Sequence, residues 1–192
     1  MPAQPELEIT PEAYLAAERQ ADFKSEYFSG EVFAMTGASF AHNLIVGNVL
    51  SGLHPQLKAQ NCAVLPSDLR VWIELGEHYL YPDVTVVCGE PRFTDRHTDT
   101  LTNPRLIVEV LSKSTQNFDR GEEFMLYRSL PSFAEYLLIA QDRYHVEHFA
   151  RQSDGRWLLT DIDQPADSID LTSIEGRLTM AEIYDRAPGL TG

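Results

Sequence analysis

The stretch RLIVEVL at residues 105–111 constrains this chain more than any other segment. A run that is apolar at nearly every position fits a strand covered on both faces, in the middle of a sheet with other layers packed on it. One residue breaks the pattern. Glu109 is flanked by Ile107, Val108, Val110 and Leu111, and burying an ionised carboxylate without a partner costs on the order of several kcal/mol. A cation, a basic side chain or a bound proton must compensate, unless the strand end reaches solvent.

The segment YLYPDVTVV at residues 79–87 is built the same way, with Asp83 set in apolar surroundings directly after Pro82. Proline favours a strand start or an edge, which places Asp83 near a strand end. Acids embedded in neighbouring apolar strands can converge on one divalent cation. Mg²⁺ is typically held by one or two carboxylates plus water and phosphate oxygens. There it polarises a phosphoryl group and activates water. Asp83 and Glu109 are therefore the candidate metal ligands, with Mg²⁺ or Mn²⁺ as the expected ion.

The rest of the chain supplies the layers. Thr10 suits a helix N-cap and Pro11 the first helical position. Residues 26–28 and 32–35 flank Ser29-Gly30 and predict a β-hairpin. A helix is expected over about 39–59, with Pro55 near its end. Residues 63–87 read as strands turning at Gly76-Glu77, and residues 88–103 as a long mobile loop. A helix over 117–129 stops before Pro131. Strands follow at 135–140, 144–150 and 157–161, then a short helix capped by Thr179. The acids Asp161, Asp163, Asp167 and Asp170 lack calcium-loop spacing and read as a solvated surface. The mixed order argues for one α/β domain over residues 1–192, a sheet with helices packed on it.

Charge and cysteines limit the function. Against 15 Lys and Arg stand 29 Asp and Glu, a formal net charge of −14, which counts against tight general binding of long duplex DNA. Cys62 and Cys88 lie in apolar stretches without CxxC spacing, so two buried thiols are expected, with neither disulfide nor zinc. No run is long and apolar enough for a membrane span. The first residues carry no signal-peptide pattern, and a cytoplasmic location is expected.

Taken in order, the FSGEVF hairpin, SFAHN, SDLRV, YPDVTVV, LIVEVLSKST, DRGEEFMLYR and PSFAEYLLI resemble the Uma-two family of restriction-endonuclease-like proteins, within the PD-(D/E)xK nuclease-like superfamily. The resemblance spans roughly residues 11–185. It implies a restriction-endonuclease-like mixed central sheet flanked by helices, DNA as substrate, and a homodimer. Asp83 matches the acid of the PD element and Glu109 the acid of the (D/E)xK element. Glu31 matches an acid contributed near the N-terminus, with Glu26 as second candidate. His42 and Asp68 match polar positions of the family, and His42 and Arg120 are the candidate substrate contacts.

The chain departs from this pattern at the lysine. Two residues after Glu109 stands Leu111, and the lysine that the family commonly places in the next helix is Glu123. Lys113 is the first candidate to orient water or stabilise the transition state, ahead of Glu123. Arg120 is a poor proton acceptor because its pKa stays above about 12. Two readings follow: a divalent-metal-dependent DNA endonuclease using Asp83, Glu109, Lys113 and Glu31, or a catalytically impaired nuclease fold serving as a binding or assembly module.

Overall fold

The computed structural model describes residues 9–112 and 115–190. Helix α1 (Pro11–Glu18) begins at Thr10, whose hydroxyl accepts the Ala13 N–H. The hairpin β1 (Ser25–Phe28) and β2 (Glu31–Ala34) turns at Ser29 and Gly30, both at positive φ. Helix α2 (Phe40–Leu57) is capped by Ser39 and buries Ile45, Val49, Leu53 and Leu57 along one face. Pro55 sits in its last turn without ending it. Strands β3 (Cys62–Pro66), β4 (Arg70–Ile73), β5 (His78–Leu80), β6 (Val84–Cys88) and β7 (Thr100–Leu101) lead to β8 (Leu106–Leu111). Then come α3 (Gln116–Phe118), one π-helical turn (Asp119–Glu123) and α4 (Phe124–Tyr127). The chain finishes with β9 (Glu135–Ala140), β10 (Val146–Arg151), β11 (Trp157–Ile162), the hairpin β12 (Ser168–Leu171) and β13 (Gly176–Thr179), and α5 (Met180–Ile183).

The fold is a mixed α/β structure of the restriction-endonuclease-like kind. Its main sheet has six strands in the order β11-β10-β9-β8-β6-β3, with β8 and β9 parallel and the other neighbours antiparallel. Strand β8 is covered on both sides, as its apolar run predicts. Leu106, Val108 and Val110 pack with α2, α5 and the β12–β13 hairpin, while Ile107 and Leu111 pack with α4 and with Val71, Ile73 and Leu80 of a second sheet. That sheet runs β2-β1-β5-β4-β7. Helix α2 approaches the hairpin closely enough that a Cβ on Gly52 would lie 2.8 Å from Leu178, so a side chain there would force the packing apart. Alternation along β8 turns Glu109 toward the same side as Ile107 and Leu111, between the two sheets.

Three local expectations are corrected. Residues 79–87 are not one strand: the chain leaves the small sheet after Leu80 and joins the large one at Val84. Pro82 has no N–H for a ladder and marks the crossover. Residues 88–103 are tied down rather than free. Arg19 binds Asp95 and Asp99 at 2.9 and 2.8 Å, and β7 pairs in parallel with β4. Cys62 and Cys88 form a disulfide, because the β3–β6 register sets them directly opposite with their Cα atoms 4.0 Å apart. No sequence spacing signals that pairing, since it arises from strand register across 26 residues. Asp161, Asp163, Asp167 and Asp170 are exposed, as expected of a solvated surface, and Asp170 sits on the β12–β13 hairpin, whose Ile169, Leu171 and Leu178 are buried. Among the described residues no helix is long and apolar enough to cross a membrane.

Candidate metal centre

Asp83 and Glu109 meet where the two sheets part. The β6–β8 register pairs Val84 with Val108, so one step further sets Asp83 opposite Glu109. Backbone amides lock them reciprocally: the Val110 N–H donates to Asp83 Oδ2 at 2.8 Å, and the Asp83 N–H to Glu109 Oε2 at 3.2 Å. His42, in the first turn of α2, places Nε2 2.9 Å from Asp83 Oδ1. Three elements thus fix the position of one carboxylate.

The π-helical turn adds two more acids. Its widened geometry keeps Asp119 and Glu123, four positions apart, buried on one inward face. Glu123 accepts hydrogen bonds from Tyr127 Oη at 3.1 Å and Tyr136 Oη at 2.9 Å, and Tyr127 Oη also lies 3.5 Å from Glu109 Oε1. Asp119 accepts from Thr115 Oγ1 at 2.9 Å. From the small sheet, Glu26 accepts the Tyr81 N–H at 3.0 Å.

These acids raise one another's pKa values. Burial lifts the Glu109 carboxyl well above the usual carboxylate range, and repulsion from Glu123, Asp83 and Asp119 adds to it. Burial does the same to Glu123, with Asp119 and Glu26 contributing. Asp119 is pushed up to about 6, chiefly by burial and then by Asp83, against the hydrogen bond from Thr115. Burial also raises Glu26. Removing charge from water and crowding it with like charge both favour the protonated form.

The sequence-derived candidates divide clearly in space. Asp83, Glu109, His42 and Glu123 come together. Glu31 is solvent-exposed on the outer strand β2, opposite Phe28, and it is Glu26, the second candidate, that joins the carboxylates. Arg120 turns away: its Nε binds Glu147 at 2.6 Å and its Nη1 binds Gln116 Oε1 at 3.1 Å. Asp68 is exposed and paired with Lys24 at 3.0 Å. Leu111 is buried on the Glu109 side. Lys113 lies outside the described residues. Sequence reasoning passed over Asp119, Tyr127 and Tyr136. The i, i+4 spacing of Asp119, Glu123 and Tyr127 was a usable signal.

Asp83 and Glu109 suit a hard divalent cation, being two fixed carboxylates whose charge no lysine or arginine among the described residues offsets. Among the described residues, no set of three or more His, Cys, Asp or Glu side chains is arranged to hold an ion. The donor set therefore fits Mg²⁺ or Mn²⁺ bound largely through water and substrate oxygens, and not a closed structural cage.

Comparison with known proteins agrees with this architecture. The model of the Uma2 family, described as "Putative restriction endonuclease", matches residues 11–181. "Uncharacterized protein sll1609" of Synechocystis sp. (strain ATCC 27184 / PCC 6803 / Kazusa) is 43% identical over 154 residues, covering 80% of this chain and 87% of that protein. "Uncharacterized protein slr1290" of the same organism is 35% identical over 183 residues, covering 95% of each. A crystal structure of "a putative nuclease belonging to DUF820" from Anabaena variabilis ATCC 29413 superposes with a TM-score of 0.71 at 17% identity. It covers 92% of this chain and 97% of that one, a likeness of fold.

Proposed function

The chain belongs to the Uma2 family of restriction-endonuclease-like nucleases, and from that premise we propose that it hydrolyses phosphodiester bonds of DNA with Mg²⁺ or Mn²⁺ held by Asp83 and Glu109. The observation that carries this reading is the reciprocal locking of the two carboxylates, each fixed by a backbone N–H beside or on the other. Fixed acids that no lysine or arginine neutralises among the described residues are what a cation-dependent site requires. A bound cation would polarise the scissile phosphoryl group and make its water a stronger nucleophile.

The protein's own groups do the positioning. His42 holds Asp83 Oδ1, and the β8 backbone holds Oδ2, so the carboxylate keeps one orientation. Tyr127 bridges Glu109 and Glu123 and restrains both. Glu123 replaces the family's lysine with a buried acid between two tyrosine hydroxyls. That substitution favours a second reading, in which the fold binds metal or nucleic acid without cutting.

Calorimetric titration of Mn²⁺ into wild type and Asp83→Asn, with cleavage of supercoiled plasmid in parallel, tests both. Metal binding and cleavage that vanish together in the variant are expected. Metal binding by wild type without cleavage selects the second reading. No binding that depends on Asp83 sinks the metal site.

A further inference from the structure

Beside the carboxylates, at the C-terminal ends of β8 and β9, lies a cavity of about 610 Å³. Its lining includes Ser39, Leu111, Gln116, Arg120, Gln141 and Arg143. Ser39 opens the helix that carries His42, Leu111 follows Glu109 by two residues, and Arg120 follows Asp119, so the same elements line the cavity and carry the candidate metal centre. A built polar frame shapes it. Ser39 Oγ donates to Gln141 Oε1, and Gln141 Nε2 donates to the Leu111 carbonyl at 2.7 Å. Both arginines are tethered: Arg120 through Nε by Glu147 at 2.6 Å and through Nη1 by Gln116 Oε1 at 3.1 Å, and Arg143 through Nη1 by Asp142 at 3.2 Å. A guanidinium has five N–H donors in a fixed fork, so such tethers orient the remaining donors. Phe40 stands between Ser39 and Ala41, both lining residues, and is 73% exposed.

We propose that this cavity receives one nucleotide of a single strand next to the cleaved bond, its phosphate on Arg120 and Arg143 and its base against Phe40. This rests on the nuclease reading and narrows its substrate. The volume falls in the range of small-molecule sites, roughly 300–1,000 Å³, a size that admits one nucleotide. Long duplex DNA is held by an extended cationic face, whereas this chain carries −14. An unstacked base needs an aromatic platform, and Phe40 is a large exposed aromatic set in the chain between two residues that line the cavity.

The test is fluorescence anisotropy of 5′-fluorescein-labelled hexathymidylate, in EDTA so that nothing is cut and no metal is needed. Competition by inorganic phosphate is measured alongside. Arg143 is 48% exposed, so Arg143→Ala is expected to fold normally, with circular dichroism as the check. It should weaken the oligonucleotide about tenfold or more and lower the salt slope by about 0.7, one single-strand phosphate contact. Phe40→Ala should weaken the oligonucleotide by about fivefold or more while leaving inorganic phosphate competition unchanged. Unchanged affinity in both variants, or tighter binding of a duplex of equal length, overturns the proposal. Mn²⁺ binding without any hexathymidylate binding overturns it while the metal site stands. Arg143-dependent hexathymidylate binding without Mn²⁺ binding supports it while the metal site falls.

Discussion

Two corners of the molecule gather carboxylates and treat them oppositely. At one, Asp99 receives Arg19 at 2.8 Å and Arg70 at 2.6 Å. The Arg19 hydrogen bond, with Arg70 adding to it, holds the Asp99 carboxyl well below the usual range. Behind it Arg70 donates to Tyr81, and Tyr81 to Glu18, closing a buried network with every acid partnered. At the other, Asp83, Glu109, Asp119 and Glu123 crowd together, and Asp119 rises to about 6. The difference is the presence of guanidinium groups. Partnered acids fasten α1 and the 88–103 segment to the small sheet. Acids that only neutral donors and His42 hold, among the described residues, store repulsion that a cation can relieve, at a cost in stability that functional sites commonly carry.

The contrast can be broken by substitution, starting with the largest effect. Arg70→Ala leaves the buried Tyr81 hydroxyl without its donor while Asp99 keeps Arg19, and urea unfolding should show a loss of about 1–3 kcal/mol. At the metal centre a saturating divalent cation should act in the opposite direction. At a hundredfold excess over Kd, Mn²⁺ adds about 2.7 kcal/mol of stability, seen as a rise in Tm that Asp83→Asn abolishes. Glu109→Gln should abolish Mn²⁺ binding while leaving Tm unchanged or raising it by about 2–4 °C, roughly 1 kcal/mol in a chain of this size. A large fall in Tm for Glu109→Gln would mean that its carboxylate is structural and would erase the contrast.

Acidity sharpens the same comparison with a smaller effect. Asp119 has a folded pKa of about 6 against an ordinary 3.8, so folding favours its protonated form. Its stabilising contribution is complete below about 3.8 and is lost as pH rises through about 6. Asp99 has its pKa lowered, so its contribution is present above the ordinary value and is lost as pH falls. Urea midpoints measured from pH 3 to 8 should therefore lose their decline between about 4 and 6 in Asp119→Asn, and their acid-side fall in Asp99→Asn. Matching pH profiles for the two variants would show that the regions do not differ.

Much of the carboxylate cluster was legible in sequence because strand chemistry is local. An acid inside an apolar run is conspicuous, and both Asp83 and Glu109 announced themselves that way. Glu26 and Glu31 could not be separated so easily. They flank one hairpin turn, and only the pairing of β1 with β5 sets Glu26 against Tyr81 while β2 stays at the open edge. Arg120 is a candidate substrate contact through the family resemblance, and only the fold places it away from the carboxylates, on the wall of the neighbouring cavity. The π turn points Asp119 and Glu123 inward and leaves Arg120 to Glu147, and a change of helical pitch has no sequence signature as plain as a hydrophobic period.

The sequence by itself determined the buried strands, the helix caps, the hairpin at Ser29-Gly30 and the need for something to compensate Glu109. Each follows from backbone preference or from the cost of burial, which act within a few residues. The tertiary structure alone decided that Pro82 carries the chain from one sheet to the other, that Cys62 and Cys88 face each other, and that the remaining acids crowd around Asp83 and Glu109. Those outcomes depend on register and packing between segments far apart in the chain, where one step of strand register moves every side chain to the other face.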